Sequence, residues 1–198
     1  MLVSTADRFR DELNPGERII WTGQPQQGIV LRLADIFLIP FTFLWGGFVL
    51  VGAFSVVMDG STPFPFMLFG IPFVIVALYI TIGRFFVDMA QRSATYYALT
   101  HERVIILSGL LHQNIKSVNF RRLQEINVST RSNGRGTITF GHSNPLAFMY
   151  AGTGLPNMSM YHMAPSFEMI DHVKTVYQKI KQLQRENHPQ PGENTLQV

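Results

Sequence analysis

Two uncharged apolar runs, residues 36–58 and 64–82, lie almost back to back in this chain and constrain everything else it can fold into. They hold 23 and 19 residues without a single Asp, Glu, Lys or Arg. As helices they would be about 34 and 28 Å long, matched to a hydrocarbon core of about 30 Å. Only Asp59-Gly60-Ser61-Thr62-Pro63 separates them. Five residues of that composition make a turn, so the pattern predicts a transmembrane hairpin with the remaining mass on one side of the bilayer.

The first run begins behind an ordinary polar segment, which favours a retained anchor over a cleaved secretory signal. Arg8, Arg10, Arg18 and Arg32 precede it, Arg84 and Arg92 follow the second run, and the connecting loop holds no Lys or Arg. The positive-inside rule then predicts a multi-pass membrane protein with both termini cytoplasmic and the five-residue loop outside. A net charge of +3 and a pI of 9.4 agree with a body beside an anionic leaflet. Roughly 100 residues remain after Gly83, enough for one small domain. With no cysteine, disulfides and thiolate metal sites are excluded.

Outside the two runs the texture is short and alternating. Residues 1–14 read as a short helix with Phe9 and Leu13 as its apolar face, ended by Asn14-Pro15-Gly16. Residues 18–23 read as a strand, with Trp21 expected to pack in a core. Further strands are predicted over 95–100, 103–108, 114–120, 125–130, 137–141 and 157–163. A helix capped by Ser166 follows, with Glu168 and Asp171 in its first turn and Ile170, Val173, Tyr177 and Ile180 on its apolar face. The reading divides the chain into a cytoplasmic segment 1–30, a hairpin 31–87, a domain 88–186 and a disordered tail 187–198.

Four motifs in this order resemble those of the bacterial PH-domain membrane proteins. Pro15-Gly16-Glu17-Arg18-Ile19-Ile20-Trp21-Thr22-Gly23-Gln24-Pro25 is similar to the family's Gly-Glu-x-x-x-Trp-x-Gly-x-Pro lead. Tyr97-Ala98-Leu99-Thr100-His101-Glu102-Arg103 resembles its Tyr-x-Leu-Thr-x-x-Arg hairpin. Gly109-Leu110 and the segment from Val118 to Val128 resemble two further stretches. The resemblance implies a membrane α-helical hairpin plus an α+β PH-like domain: a bent antiparallel β-barrel capped by one C-terminal amphipathic helix. At the hairpin tip Thr100 is expected to bond a turn amide, and Arg103 to reach a carboxylate or carbonyl.

Chemistry-bearing motifs are sparse. None of the six histidines forms a His-x-x-x-His or His-Glu-x-x-His pair, so no metal is expected. Gly152-Thr153-Gly154 lacks the setting of a phosphate loop, no nucleophile elbow exists, and the runs carry no ion-coupling charge. The reading is of a non-enzyme without cofactor or nucleic-acid partner. Two features remain for binding. The cations Lys116, Arg121, Arg122, Arg131 and Arg135 are candidates for an anionic ligand, although adjacent Arg121 and Arg122 cannot share a strand face. One of that pair is expected to meet a carboxylate, with Glu125 the candidate. The apolar loop residues Phe148, Met149 and Tyr150, with Met158 and Met160, are candidates for a protein contact. The expected role is a membrane-anchored binding or adaptor module that contacts a partner protein, with anionic lipid secondary. The alternative is a structural or assembly subunit, or an oligomer, in a larger inner-membrane complex.

Overall fold

A computed structural model describes residues 5–31, 35–60, 63–110, 112–123, 125–142 and 164–187. The chain divides into two compact units. One is built from the described residues up to Gln27, from Gln91 to His142 and from Ala164 onward. The other lies between Gly28 and Ala90.

The second unit is the helical one. Helix α1, Asp35–Asp59, is followed by α2, Phe64–Leu78, a π-helical turn, Tyr79–Gly83, and then α3, Arg84–Ser93, which starts in this unit. By length and composition Asp35–Asp59 and Gly70–Ser93 are each enough to cross a membrane. Small residues line the α1–α2 contact: Thr42, Gly46 and Ala77 are buried, and a Cβ on Gly46 would stand 3.4 Å from Thr81 Oγ1. The two threonine hydroxyls donate to their own helices, to Ile39 O at 2.9 Å and Ala77 O at 2.7 Å, so both are satisfied within the apolar seam. Outward from the seam stand Phe37, Phe43, Leu44 and Phe48, all at least 68% exposed.

The first unit holds two antiparallel sheets. Strands β1 (Ile19–Gly23), β2 (Tyr96–Thr100), β3 (Arg103–Ser108) and β4 (Asn114–Asn119) pair in sequence order. Strands β5 (Ile126–Thr130), β6 (Gly136–Phe140) and β7 (Ser166–Ile170) form the second sheet. The expected closed barrel is therefore corrected: among the described residues the strands make two open sheets, joined between β4 and β5 by a 3-10 turn, Phe120–Arg122. The expected strand over 157–163 lies outside the described residues.

Strands β2 and β3 are buried on both faces, which explains their unbroken apolar texture. One face, with Tyr97, Leu99, Val104 and Ile106, joins the main core beneath the final helix. The other, with Ala98, Ile105 and Leu107, is covered by Phe9 of a 3-10 helix, Asp7–Glu12, with Leu13 packed beside it. Phe167 joins the two sheets, its ring centroid 5.5 Å from that of Trp21, 4.8 Å from Tyr97 and 5.1 Å from Phe140.

The last helix, α4, spans Val173–Asn187 rather than starting at Ser166. Residues Ser166–Ile170 form β7 instead, so Glu168 and Asp171 do not sit in a helical first turn. A bulge explains the mismatch. Gly136 faces Ile170 and Ile138 faces Phe167, so β7 carries one residue more than β6 over that stretch, and Met169 takes a positive φ of 48°. Phe167 and Ile170 thus both point inward at a spacing of three, which imitates a helix. Val173, Val176, Ile180 and Leu183 are the buried face of α4. Ile180 is buried as expected, whereas Tyr177 is only half-buried, with Lys181 Nζ 5.0 Å from its ring centroid.

Candidate functional site

The family-like motifs converge on a buried clamp. Thr100 ends β2 and Arg103 opens β3, so a two-residue connection brings both to one point. Thr100 Oγ1 accepts from the amides of Glu102 (3.2 Å) and Arg103 (3.0 Å) and donates to Glu17 Oε1 at 2.7 Å. Arg103 donates through Nε to Glu17 Oε1 at 2.9 Å and through Nη2 to Oε2 at 2.8 Å, a bidentate fork, and its Nη2 also reaches Glu12 O at 2.8 Å. The Asn14 amide donates to Glu17 Oε2 at 2.8 Å. Burial opposes ionisation of Glu17, but the hydrogen bonds from Arg103, the Asn14 amide and Thr100 outweigh it and hold its carboxyl at about 2. The expectation for Thr100 and Arg103 is met, and the acid that the sequence left unnamed is Glu17, fully covered at its side chain. This clamp ties the N-terminal lead to the β2–β3 hairpin and exposes no reactive group.

A concave feature of this unit lies elsewhere. A cleft of about 360 Å³ opens between the end of β1 and the β7–α4 turn. Trp21, Gly23 and Gln24 line one side, and Ile170, His172, Thr175, Val176 and Lys179 the other. Gly23 is required here, because a Cβ would overlap the Trp21 indole folded back over it. His172 holds a positive φ of 51°, a strained setting for a non-glycine residue in the turn that forms the wall. Strand β1 is the outer strand of its sheet and β7 of the other, so two strand edges border the opening. One backbone bond, Gln26 N to Met169 O at 3.1 Å, bridges them. Asp171 on the rim is matched by Arg135, whose Nε donates to its Oδ1 at 2.6 Å, leaving Lys179 to make the rim cationic. An apolar floor, a cationic rim and bordering strand edges suit an extended polypeptide better than a small reacting molecule.

The five predicted cations fall in three places. Lys116 sits half-buried on β4, where burial pushes its ammonium below the ordinary lysine value. Arg121 and Arg122 are exposed on the 3-10 turn after β4. Arg131 and Arg135 bracket the β5–β6 turn, closed by Arg131 N to Arg135 O at 2.7 Å. No single strand or turn carries all five. Glu125 receives Asn127 Nδ2 at 3.0 Å and faces His142 Nε2 at 3.1 Å. The predicted contact residues Phe148, Met149, Tyr150, Met158 and Met160 lie outside the described residues. Among the described residues no group of three or more His, Asp or Glu side chains is placed to hold a metal ion.

The cleft escaped sequence reasoning because its walls come from residues some 150 positions apart. The signal present was Trp21-x-Gly23 itself: a glycine two residues after a tryptophan in a strand marks a close approach. Comparison with protein families matches a bacterial PH domain over residues 37–161, a span that begins inside α1 and covers more than half of the chain. No curated protein and no solved structure matches it. With that span and the two-sheet unit capped by α4, the chain belongs to the bacterial PH domain family.

Proposed function

We propose that this chain is a non-catalytic binding module, anchored by its two apolar helices in the bacterial inner membrane, that holds a partner protein at the cytoplasmic face. The observation that carries the reading is the union, in one chain, of a PH-like unit with an open cleft between strand edges and two helices with outward-facing aromatic side chains. Water does not tolerate a run of exposed phenylalanines on a 25-residue helix, and only 11% of each apolar window is buried within the chain, so α1 and α2 are not the core of a soluble domain. The arginine flanks orient both termini toward the cytoplasm. The membrane hairpin, the domain beyond it and the short N-terminal lead that supplies β1 together make a tethered adaptor.

The cleft is the proposed contact. Lys179 favours an acidic residue, Trp21 and Val176 favour an apolar one, and the edge of β1 offers backbone pairing to an extended segment. The loop residues Phe148, Met149, Tyr150, Met158 and Met160 are proposed as a second, apolar part of that contact. The exposed cations Arg121, Arg122 and Arg131 are proposed to add a weaker, salt-sensitive attraction to anionic lipid, with Lys116 and Arg135 contributing less because one is desolvated and the other paired.

A photo-crosslinking residue placed at Thr175 in the full chain tests the contact in native membranes. The expected result is one protein adduct of defined mass that weakens at least fivefold with Lys179→Glu and persists when residues 36–58 are replaced by a scrambled apolar sequence. Adducts with lipid only, or none, would overturn the cleft as a protein contact. An adduct that disappears with the scrambled helix would favour the subunit reading, in which the hairpin is itself the interface.

A further inference from the structure

We propose that Arg84 binds the phosphodiester of a zwitterionic membrane phospholipid at the base of the hairpin. Asp35 opens α1 and Arg84 opens α3, each at the end of an apolar run where headgroup phosphates lie if the helices span a bilayer, so the inference rests on the membrane reading. Arg84 Nη1 meets Asp35 Oδ1 at 2.8 Å, with the two side chains 4% and 5% exposed. Arg84 Nε and Nη2 are also buried, and neither has a hydrogen-bond partner among the described residues.

Those two atoms form one edge of the guanidinium, with N–H bonds running parallel. Arg103 uses this same edge to grip both oxygens of Glu17, so the chain already shows what the edge is shaped to hold. At Arg84 the same edge could hold two oxygens of an oxyanion and receives none from the described residues. Buried donors require acceptors, and a chain that leaves two of them on one rigid fork presents a binding site rather than a packing defect. The Phe85 ring stands 4.5 Å from the guanidinium centre and covers one of its faces, so an oxyanion would meet the guanidinium at its Nε–Nη2 edge.

Charge selects among phosphates. Asp35 already balances Arg84, and Asp88, one turn further along α3, is buried as well. The site therefore adds no net positive charge and does not favour a net anion. A headgroup whose own ammonium neutralises its phosphate fits it, with the phosphate oxygens on Nε and Nη2. This differs from the exposed cations of the other unit, whose attraction is one of charge and fades with salt.

The test is native mass spectrometry of the full-length chain purified in detergent, with phosphatidylethanolamine as the probe and inorganic phosphate as the competitor. Arg84→Lys keeps the charge beside Asp35 and removes the fork. The wild type is expected to retain one phosphatidylethanolamine, insensitive to salt between 0.1 and about 0.5 M, and Arg84→Lys to lose at least tenfold of that retention. Equal retention in the two proteins would overturn the proposal, as would displacement of the lipid by millimolar phosphate, which would make it a site for the free ion. Resistance to alkaline carbonate extraction is measured on both proteins in parallel. Release of the wild type would defeat the membrane reading, whereas unchanged lipid retention in a protein that stays embedded would defeat only the Arg84 site.

Discussion

Replacing Glu17 with alanine is expected to destabilise the domain by about 3–5 kcal/mol, because it leaves the Arg103 guanidinium enclosed without its counter-ion. Arg103→Ala should cost a similar amount, since Glu17 is fully covered at its side chain. The double variant should be less unstable than the sum, and the difference measures the coupling. Urea unfolding of the full chain in detergent, followed by near-UV signal from the domain, gives these values. Additive single effects would show that the fork seen at 2.8 and 2.9 Å carries no coupling energy.

The same pair sets an acid limit. The Glu17 carboxyl is depressed from an ordinary 4.5 to about 2 in the folded state. A depressed acid contributes stability that is complete above the unfolded value and is lost as pH falls through the folded one. The contribution, on the order of 3 kcal/mol, should therefore be present at neutral pH and disappear between about pH 5 and pH 2. The Glu17→Ala variant should lack that portion of the acid transition. An identical pH profile in both proteins would contradict the assignment.

Phe167→Ala is expected to cost about 3–5 kcal/mol and to lower the unfolding midpoint by roughly 15 °C or more. The ring is fully buried and contacts one aromatic residue from each of β1, β2 and β6, so its removal opens a cavity at the junction of the two sheets. Tyr97 makes the loss worse, since its hydroxyl accepts from the Glu168 amide at 3.1 Å and depends on that neighbour staying in place. Differential scanning fluorimetry against the exposed control Lys174→Ala checks it. A shift no larger than the control's would show that the sheets do not meet through Phe167.

Local pattern carried much of this fold. Alternation and turn residues located the six strands from β1 to β6 to within one or two residues, and 3.6-residue spacing located the body of α4. Phe9 and Leu13 were legible as an apolar face, and they do cover the sheet. Elements decided by long-range geometry were not legible. A bulge in β7 put Phe167 and Ile170 on one face at a helical spacing, so propensity and period pointed the wrong way. Thr100 and Arg103 announced a polar tie, but their partner Glu17 lies more than 80 positions upstream, and only the fold brings it close. Arg84 read only as a charge flanking the second span, and its contact with Asp35 needs the hairpin to close. The cleft is of the same kind, made by two strand edges that no local window contains. The cations and the apolar loop residues were the visible candidates instead, because charge and hydrophobicity can be read without a fold.

The most direct measurement of the central claim is topology in living bacteria. Reporters active only inside or only outside the cytoplasm are fused at Thr62, between the two apolar helices, and after the C-terminal helix. The account predicts that the Thr62 fusion reports the outside and the C-terminal fusion the cytoplasm. Both fusions reporting the same side would contradict it, because the two helices would then not cross the bilayer as a hairpin and the binding module would not be tethered where a cytoplasmic partner can reach it.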